Sequence, residues 1–470
     1  MKTQLTRPIA ALALLALSIL DSQLSSVFAQ GSLAPPGAPA ASMKSLDQIE
    51  PRTPISSAPC TISAPGSYYL TANLHVNGGD AIDITASGVT LDLNGFTLSS
   101  SEATPAGTGI NLAGANTDIT ILNGHIQGGV TYGIGGVYGG AGFRNGIGFS
   151  YTIPANVRVS GVSVSGCAAY GIKLNISNST VVDSCTVQNI GVWGIQAGSI
   201  SHSVAELCGD TAIFAATADS CYGNCTGSGW GLYSGTANNC SGLNTGSGTG
   251  LSANNANNCY GQANGNGDGL DALTANNCQG SSGGSGTGVR AGATATGCYG
   301  HSGTGAGLSA MTANNCQGQA DSDGDGLDAT TASNCQGHSN GHGNGLNADQ
   351  TATGCYGYTG TGIGLSAGCA NGCSGQSDSG DNAGLSCNIA INCYGTMNGT
   401  GSGTGLSAGA ANNCQGTSNN GTGLWASTAS SCFGSSVNGT GLTSNYGNFS
   451  FGFSLTGTPV IIYYTQYNMP

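Results

Sequence analysis

Through the second half of the chain, apolar and polar residues alternate in a phrase that keeps returning. In GLSANNANNCYG (250–261), Leu251 and Ala253 alternate with Ser252 and Asn254, the period of a short strand with one buried face. Ala256 and Cys259 follow three residues apart, so one straight strand cannot bury both, and a corner must lie between them. The residue before each repeat cysteine supplies it. It is Asn at 239, 258, 277, 315, 334, 392 and 413, Gly at 297, 354 and 372, and Ser at 220 and 431. Asn and Gly tolerate left-handed backbone angles best. Past the corner Cys259 points in, Tyr260 out and Gly261 in, and a glycine-rich run leads to the next leucine.

The glycines that open the phrase fall at 231, 250, 269, 288, 307, 326, 345 and 364, every step 19 residues, and then at 384, 405, 423 and 441 with slips of one or two. A fixed period of this size is the mark of a solenoid. The expected fold is all-β: a single-stranded parallel β-helix of about 19 residues per turn, capped at both ends. Each turn has three short strands and three bends, with Leu, Ala, Ala, Cys and Gly inside. A helical reading fails because the 84 glycines would each cost about 1 kcal/mol. The strict inward columns argue against disorder, which so much glycine otherwise invites.

The ends read differently. Lys2 and Arg7 precede a 12-residue apolar run, Ile9–Leu20, too short to cross a bilayer, and Val27 and Ala29 suit cleavage after Ala29. Residues 1–29 are therefore expected to be a secretion leader, which places the mature chain outside the cell or at its surface. Residues 30–55, with PPGAPA, read as a linker, 56–105 as an N-terminal cap with the first strands, 106–445 as the β-helix and 446–470 as a C-terminal cap. The Gly-rich stretch 128–156 is expected to loop out. No later apolar run approaches 18 residues, so no membrane insertion is expected.

The order LDQIEPRTPI (46–55), PGSYYLTANL (65–74) and GVTLDLNGFTL (88–98) resembles the opening of secreted bacterial right-handed parallel β-helix proteins, of the broad pectin-lyase-like superfamily. The resemblance implies a right-handed coil. It does not imply one activity, because the superfamily holds lyases, hydrolases and tailspike-like proteins. In its enzymes the work is done by outward residues of the first strand and the neighbouring loops.

Net charge is −13, yet only 6% of residues are charged, and after the leader the basic residues are Lys44, Arg52, Arg144, Arg158, Lys173 and Arg290. Nucleic acid is excluded as a partner, since it needs clustered Lys and Arg, and anionic polyuronates are disfavoured. Fifteen of the 19 cysteines, Cys167, Cys185, Cys208 and the twelve repeat cysteines from Cys221 to Cys432, are assigned to one inward column of mostly free, buried thiols.

Three sets of residues carry candidate chemistry. Tyr222, Tyr260, Tyr299, Tyr356, Tyr394 and Phe433 point outward about every second turn, so ~9.6 Å apart. Flat rings on a straight surface suit the apolar faces of sugars, with Gln between them for hydroxyls; the bland alternative is packing over the turns. Asp321, Asp323, Asp325 and Asp328 in DSDGDGLD resemble the start of a calcium loop, without the later bidentate Glu, or form a solvated acidic bend. On the first strand Asp271 and Arg290, with Asp268, offer a carboxylate pair and a cation for lyase or hydrolase chemistry, or a plain surface ion pair. The expectation is a secreted β-helix that binds a polysaccharide or cell-surface glycan, with no cofactor required beyond optional calcium. A polysaccharide lyase or glycoside hydrolase is the alternative, and a structural or adhesive rod the third reading.

Overall fold

The computed structural model describes residues 51–134, 136–177 and 179–465, with side chains as far as Ile461. The expected leader and nearly all of the linker, and residues 466–470 of the expected C-terminal cap, lie outside the described residues. From Thr53 the chain is a parallel β-solenoid of about 21 turns and about 19 residues per turn. Among the described residues 43 strands join one sheet, there is no helix, and a separate two-stranded hairpin stands beside them.

One turn shows how the sequence builds it. Leu270–Asn276 is one strand segment, followed by Asn277 at φ 51°, the short strand Gln279–Ser282 and a return bend. The expected first two strands are thus a single segment with a one-residue bend. That bend absorbs insertions: Ala272 pairs with Ala291 but Thr274 with Thr294, so the extra residue of the next turn is taken up there. The corner residues are left-handed as expected, from Asn258 (φ 53°) to Gly297, Gly354 and Gly372 (each φ 62°).

The inward columns run the length of the coil. Ile82, Ile110, Ile147, Ile172, Ile195, Ile213, Leu232, Leu251 and Leu270 pair in sequence and are buried. Larger Val and Ile side chains fill the early turns, where the later ones use Ala and Cys. The later core is narrow because backbone meets backbone across it. A Cβ on Gly280 would lie 2.0 Å from the Gly288 carbonyl oxygen, and one on Gly269 would lie 2.3 Å from the Ser281 nitrogen.

One inward position escapes the sequence pattern. The last residue of the short strand is buried and, in most of the later turns, polar: Asn244, Ser282, Ser302, Ser339, Thr359, Ser377, Ser418 and Ser436. Where it is Ser or Thr, its hydroxyl donates to a glycine carbonyl of the preceding return bend, as in Ser282 Oγ to Gly267 O (2.8 Å) and Thr359 Oγ1 to Gly343 O (2.7 Å), and Asn244 donates its Nδ2 in the same way to Gly229 O (2.8 Å). It also accepts from its own bend, as from the Gly421 amide to Ser418 Oγ (3.0 Å). These buried hydroxyls satisfy loop backbone that would otherwise lack partners.

Two expectations need correction. Cys185 shares a column with the twelve repeat cysteines, but Cys167 and Cys208 do not. They lie with Ile190 and Cys225 in the column that later becomes the hydroxyl ladder. Spacing alone misplaces them because the early turns have irregular lengths. The loop expected at 128–156 is also shorter: Phe143 is fully buried, and Asn145–Phe149 rejoins the first-strand ladder. What leaves the coil is the hairpin of Thr131–Tyr132 and Tyr138–Gly139, tied down by the Tyr138 hydroxyl at 3.1 Å from Thr226 Oγ1. At the far end Val460 pairs with Leu442, so the register continues to Thr465.

Candidate functional site

The aromatic row lies on the short strands. Tyr222, Ser241, Tyr260, Gln279, Tyr299, Gln317, Gln336, Tyr356, Ser374, Tyr394, Gln415 and Phe433 pair in one unbroken register. The rings are two turns apart, except between Tyr299 and Tyr356, where they are three. Tyr260, Tyr356 and Tyr394 are 39%, 38% and 40% exposed, so each offers solvent a substantial part of its ring.

A second outward column, unforeseen in the sequence, runs beside the row. It holds Gln262, His301, Gln319, His338, Tyr358 and Gln376. The Tyr260 hydroxyl donates to Gln262 Oε1 (2.8 Å), and that of Tyr299 to Gln319 Oε1 (3.4 Å). Gln262 donates onward to Asn264, and Tyr358 donates to Asp378 (2.6 Å). The rings are thereby oriented and bordered by amides and hydroxyls. The row also runs one turn further than expected: Phe451 stacks on Phe433 at 5.8 Å with planes 10° apart. Ser450 in place of the repeat cysteine hides Phe451 from the pattern.

On the first-strand face the structure brings Asp268, Asp271 and Arg290 together. Asp271 is the register neighbour of Arg290, but the ion pair forms diagonally with Asp268: Nε to Oδ2 is 3.0 Å and a terminal guanidinium nitrogen lies 3.2 Å from Oδ1. Burial, then the Asp268 charge, raises the Asp271 carboxyl above the ordinary aspartate value, and Arg290 only partly opposes this.

The four aspartates of 321–328 are each held by a different group. Asp321 faces His301 Nε2 (3.0 Å), Asp323 accepts from the His342 amide (3.2 Å), Asp325 from the Asn344 amide (2.6 Å), and Asp328 from Asn347 Nδ2 (2.9 Å). They would have to leave these donors to meet on one ion. Among the described residues no three carboxylate, His or Cys groups converge as metal ligands.

No protein-family model, curated protein or solved structure matches this chain. What its faces can do rests on their own chemistry. Trp193 stacks on Phe214 (5.4 Å, 15°) and Phe214 on Tyr233 (4.9 Å, 11°), with Trp230 tilted against Tyr233. The ladder leads to a cleft of about 420 Å³ lined by Asp80, Arg144, Asn145, Phe149, Tyr170 and Lys173. Lys173 Nζ lies 4.4 Å from the Tyr170 ring centre. Phe214 and Tyr233 are register partners on the first strand, whereas Trp193 and Trp230 stand at the start of their strands, so spacing alone does not join the four.

Proposed function

We propose that the protein binds an extended, neutral polysaccharide or cell-surface glycan along the short-strand face. The observation that carries this is the in-register aromatic column at two-turn spacing, bordered by amides and hydroxyls. Rings stack on the apolar faces of pyranoses, and the neighbouring Gln and Thr side chains bond their hydroxyls. Neither row contains a lysine or arginine, which favours an uncharged polymer over a uronate. The binding needs no cofactor, and calcium enters only if the carboxylates of 321–328 exchange their present donors for it. In this reading the leader exports the chain, and the N-terminal motifs group it with right-handed pectin-lyase-like β-helices.

A second reading is favoured by one observation, the raised Asp271 carboxyl beside the Asp268–Arg290 pair. It makes the protein a polysaccharide lyase or glycoside hydrolase, with Asp271 as the proton-transfer group. One experiment separates the readings. The protein is tested for retention on a panel of neutral glucans, mannans, xylans and polyuronates, while reducing ends and unsaturated products are assayed. Binding predicts salt-insensitive retention on a neutral polymer without products. Products that disappear in Asp271→Asn support the enzyme. Neither retention nor products leaves the structural or adhesive rod.

A further inference from the structure

The twelve repeat cysteines from Cys221 to Cys432, which exclude Cys225, Cys369 and Cys387, stand in one inward column, one per turn, each at most 3% exposed and each a free thiol. The column is bounded by serines: the Cys185 amide donates to Ser203 Oγ and the Cys432 amide to Ser450 Oγ. Its thiols donate to backbone carbonyls, as Cys278 Sγ does to Asn276 O (3.2 Å) and to Ala256 O of the preceding turn (3.4 Å). Backbone amides also point at sulfur, with Cys335 N to Cys355 Sγ at 3.5 Å and Cys393 N to Cys414 Sγ at 3.4 Å. Such donors offset part of the burial that otherwise disfavours a thiolate in a dry interior.

We propose that this column is a linear binding site for a monovalent soft cation, copper(I) or silver(I), with one ion between each pair of successive sulfurs. Three features converge. The turns repeat at the strand spacing of ~4.8 Å, too long for a relaxed disulfide between parallel side chains, whose Cβ atoms prefer to be about 3.8 Å apart. Two metal–thiolate bonds of about 2.3 Å laid end to end, using the zinc–sulfur length as a guide, span ~4.6 Å and fit that repeat. Soft thiolates are the ligands that select copper(I), and a two-coordinate ion needs no third ligand. Charge also balances. Each ion entering a gap displaces one S–H proton, R–SH + M⁺ → R–S–M + H⁺, and takes its second bond from the lone pair of the next sulfur. Twelve thiols leave eleven gaps, so a filled column loses eleven protons, gains eleven cations and stays neutral in the core. No oxidant or reductant is involved.

The test is anaerobic titration of the full chain with silver(I) nitrate in chloride-free buffer, following bound silver, far-ultraviolet circular dichroism and thermal stability. Filling the column should add sulfur-to-metal absorption and raise the melting temperature while the β spectrum is kept. The decisive comparison is between Cys278→Ser and Cys369→Ser. Serine fits the column, since Ser203 already occupies it and its hydroxyl donates to the Ser201 carbonyl (2.7 Å). Cys278 borders two gaps, so its loss should remove about two equivalents of silver. Cys369 pairs with Thr351 and Ile389 outside the column, and its loss should remove no more than about one. Equal losses from the two variants would overturn the proposal, because each thiol would then bind silver alone. So would silver uptake that occurs only as the β spectrum collapses.

Discussion

A Gly280→Val variant is expected to lose its cooperative thermal transition or to melt far below the parent. The new Cβ would sit 2.0 Å from the Gly288 carbonyl oxygen and 2.7 Å from its carbon. Over-packing against side chains typically costs about 1–3 kcal/mol because side chains can move aside. Here the obstacle is the backbone of the next turn, held by the Val289 amide bond to Gly307 O and by pairing on both sides. Relief requires prying two turns apart, so the cost should exceed that range. Stability in a solenoid is a sum over neighbouring turns, and the damage should split the molecule into two independently melting halves. Gly372→Ala is the matched control. Nothing lies within 4 Å of its added Cβ, and only the left-handed φ of +62° opposes it, a penalty of about 1–2 kcal/mol. Calorimetry of the two variants should show a large and a small shift respectively. Equal shifts would mean that the narrow, glycine-faced core is not what holds successive turns together.

The second large effect is expected on binding. Changing Tyr260 and Tyr299 to Ser should weaken retention on a long neutral polysaccharide by at least about tenfold, while affecting a short oligosaccharide much less, because contacts along one chain multiply through effective concentration. Both positions already accept Ser or Gln in neighbouring turns, at Ser241 and Gln279, so the register should survive. Each tyrosine gives up a hydroxyl bond, to Gln262 and Gln319, on the solvent side only. Melting should therefore stay close to that of the parent. A fall in stability equal to the fall in retention would assign the rings to packing over the turns.

Much of this architecture was legible in the residues themselves. The 19-residue return of glycine, the Asn, Gly or Ser before each cysteine and the Leu–Ala–Ala–Cys columns follow from periodicity and from which residues accept a left-handed corner. The outward tyrosines follow from the same alternation. Three features did not show, each for a physical reason. The hydroxyl ladder at Ser282, Thr359 and Ser418 shares its position with Ala263, Ala320 and Met397, so only the carbonyls it meets in the fold reveal its role. Arg290 pairs with Asp268 rather than with Asp271, its register neighbour, because a long side chain can reach diagonally to the start of the preceding strand. Trp193 stacks on Phe214 although Gln196 is the register partner of Phe214, and the cleft beside Lys173 lies among early turns of unequal length, where neighbours in space have no fixed spacing in sequence.

The most direct test of the proposed function is affinity as a function of ligand length. Rings two turns apart lie ~9.6 Å from each other along the axis. A homologous series of neutral oligosaccharides from the best-retained polymer should bind weakly until the chain spans two rings, then rise in steps as it reaches Tyr222, Tyr260 and Tyr299 together. The Tyr260→Ser/Tyr299→Ser variant should lose those steps. Affinity that does not change with chain length, or a polyuronate series that binds as tightly as the neutral one, would contradict the account.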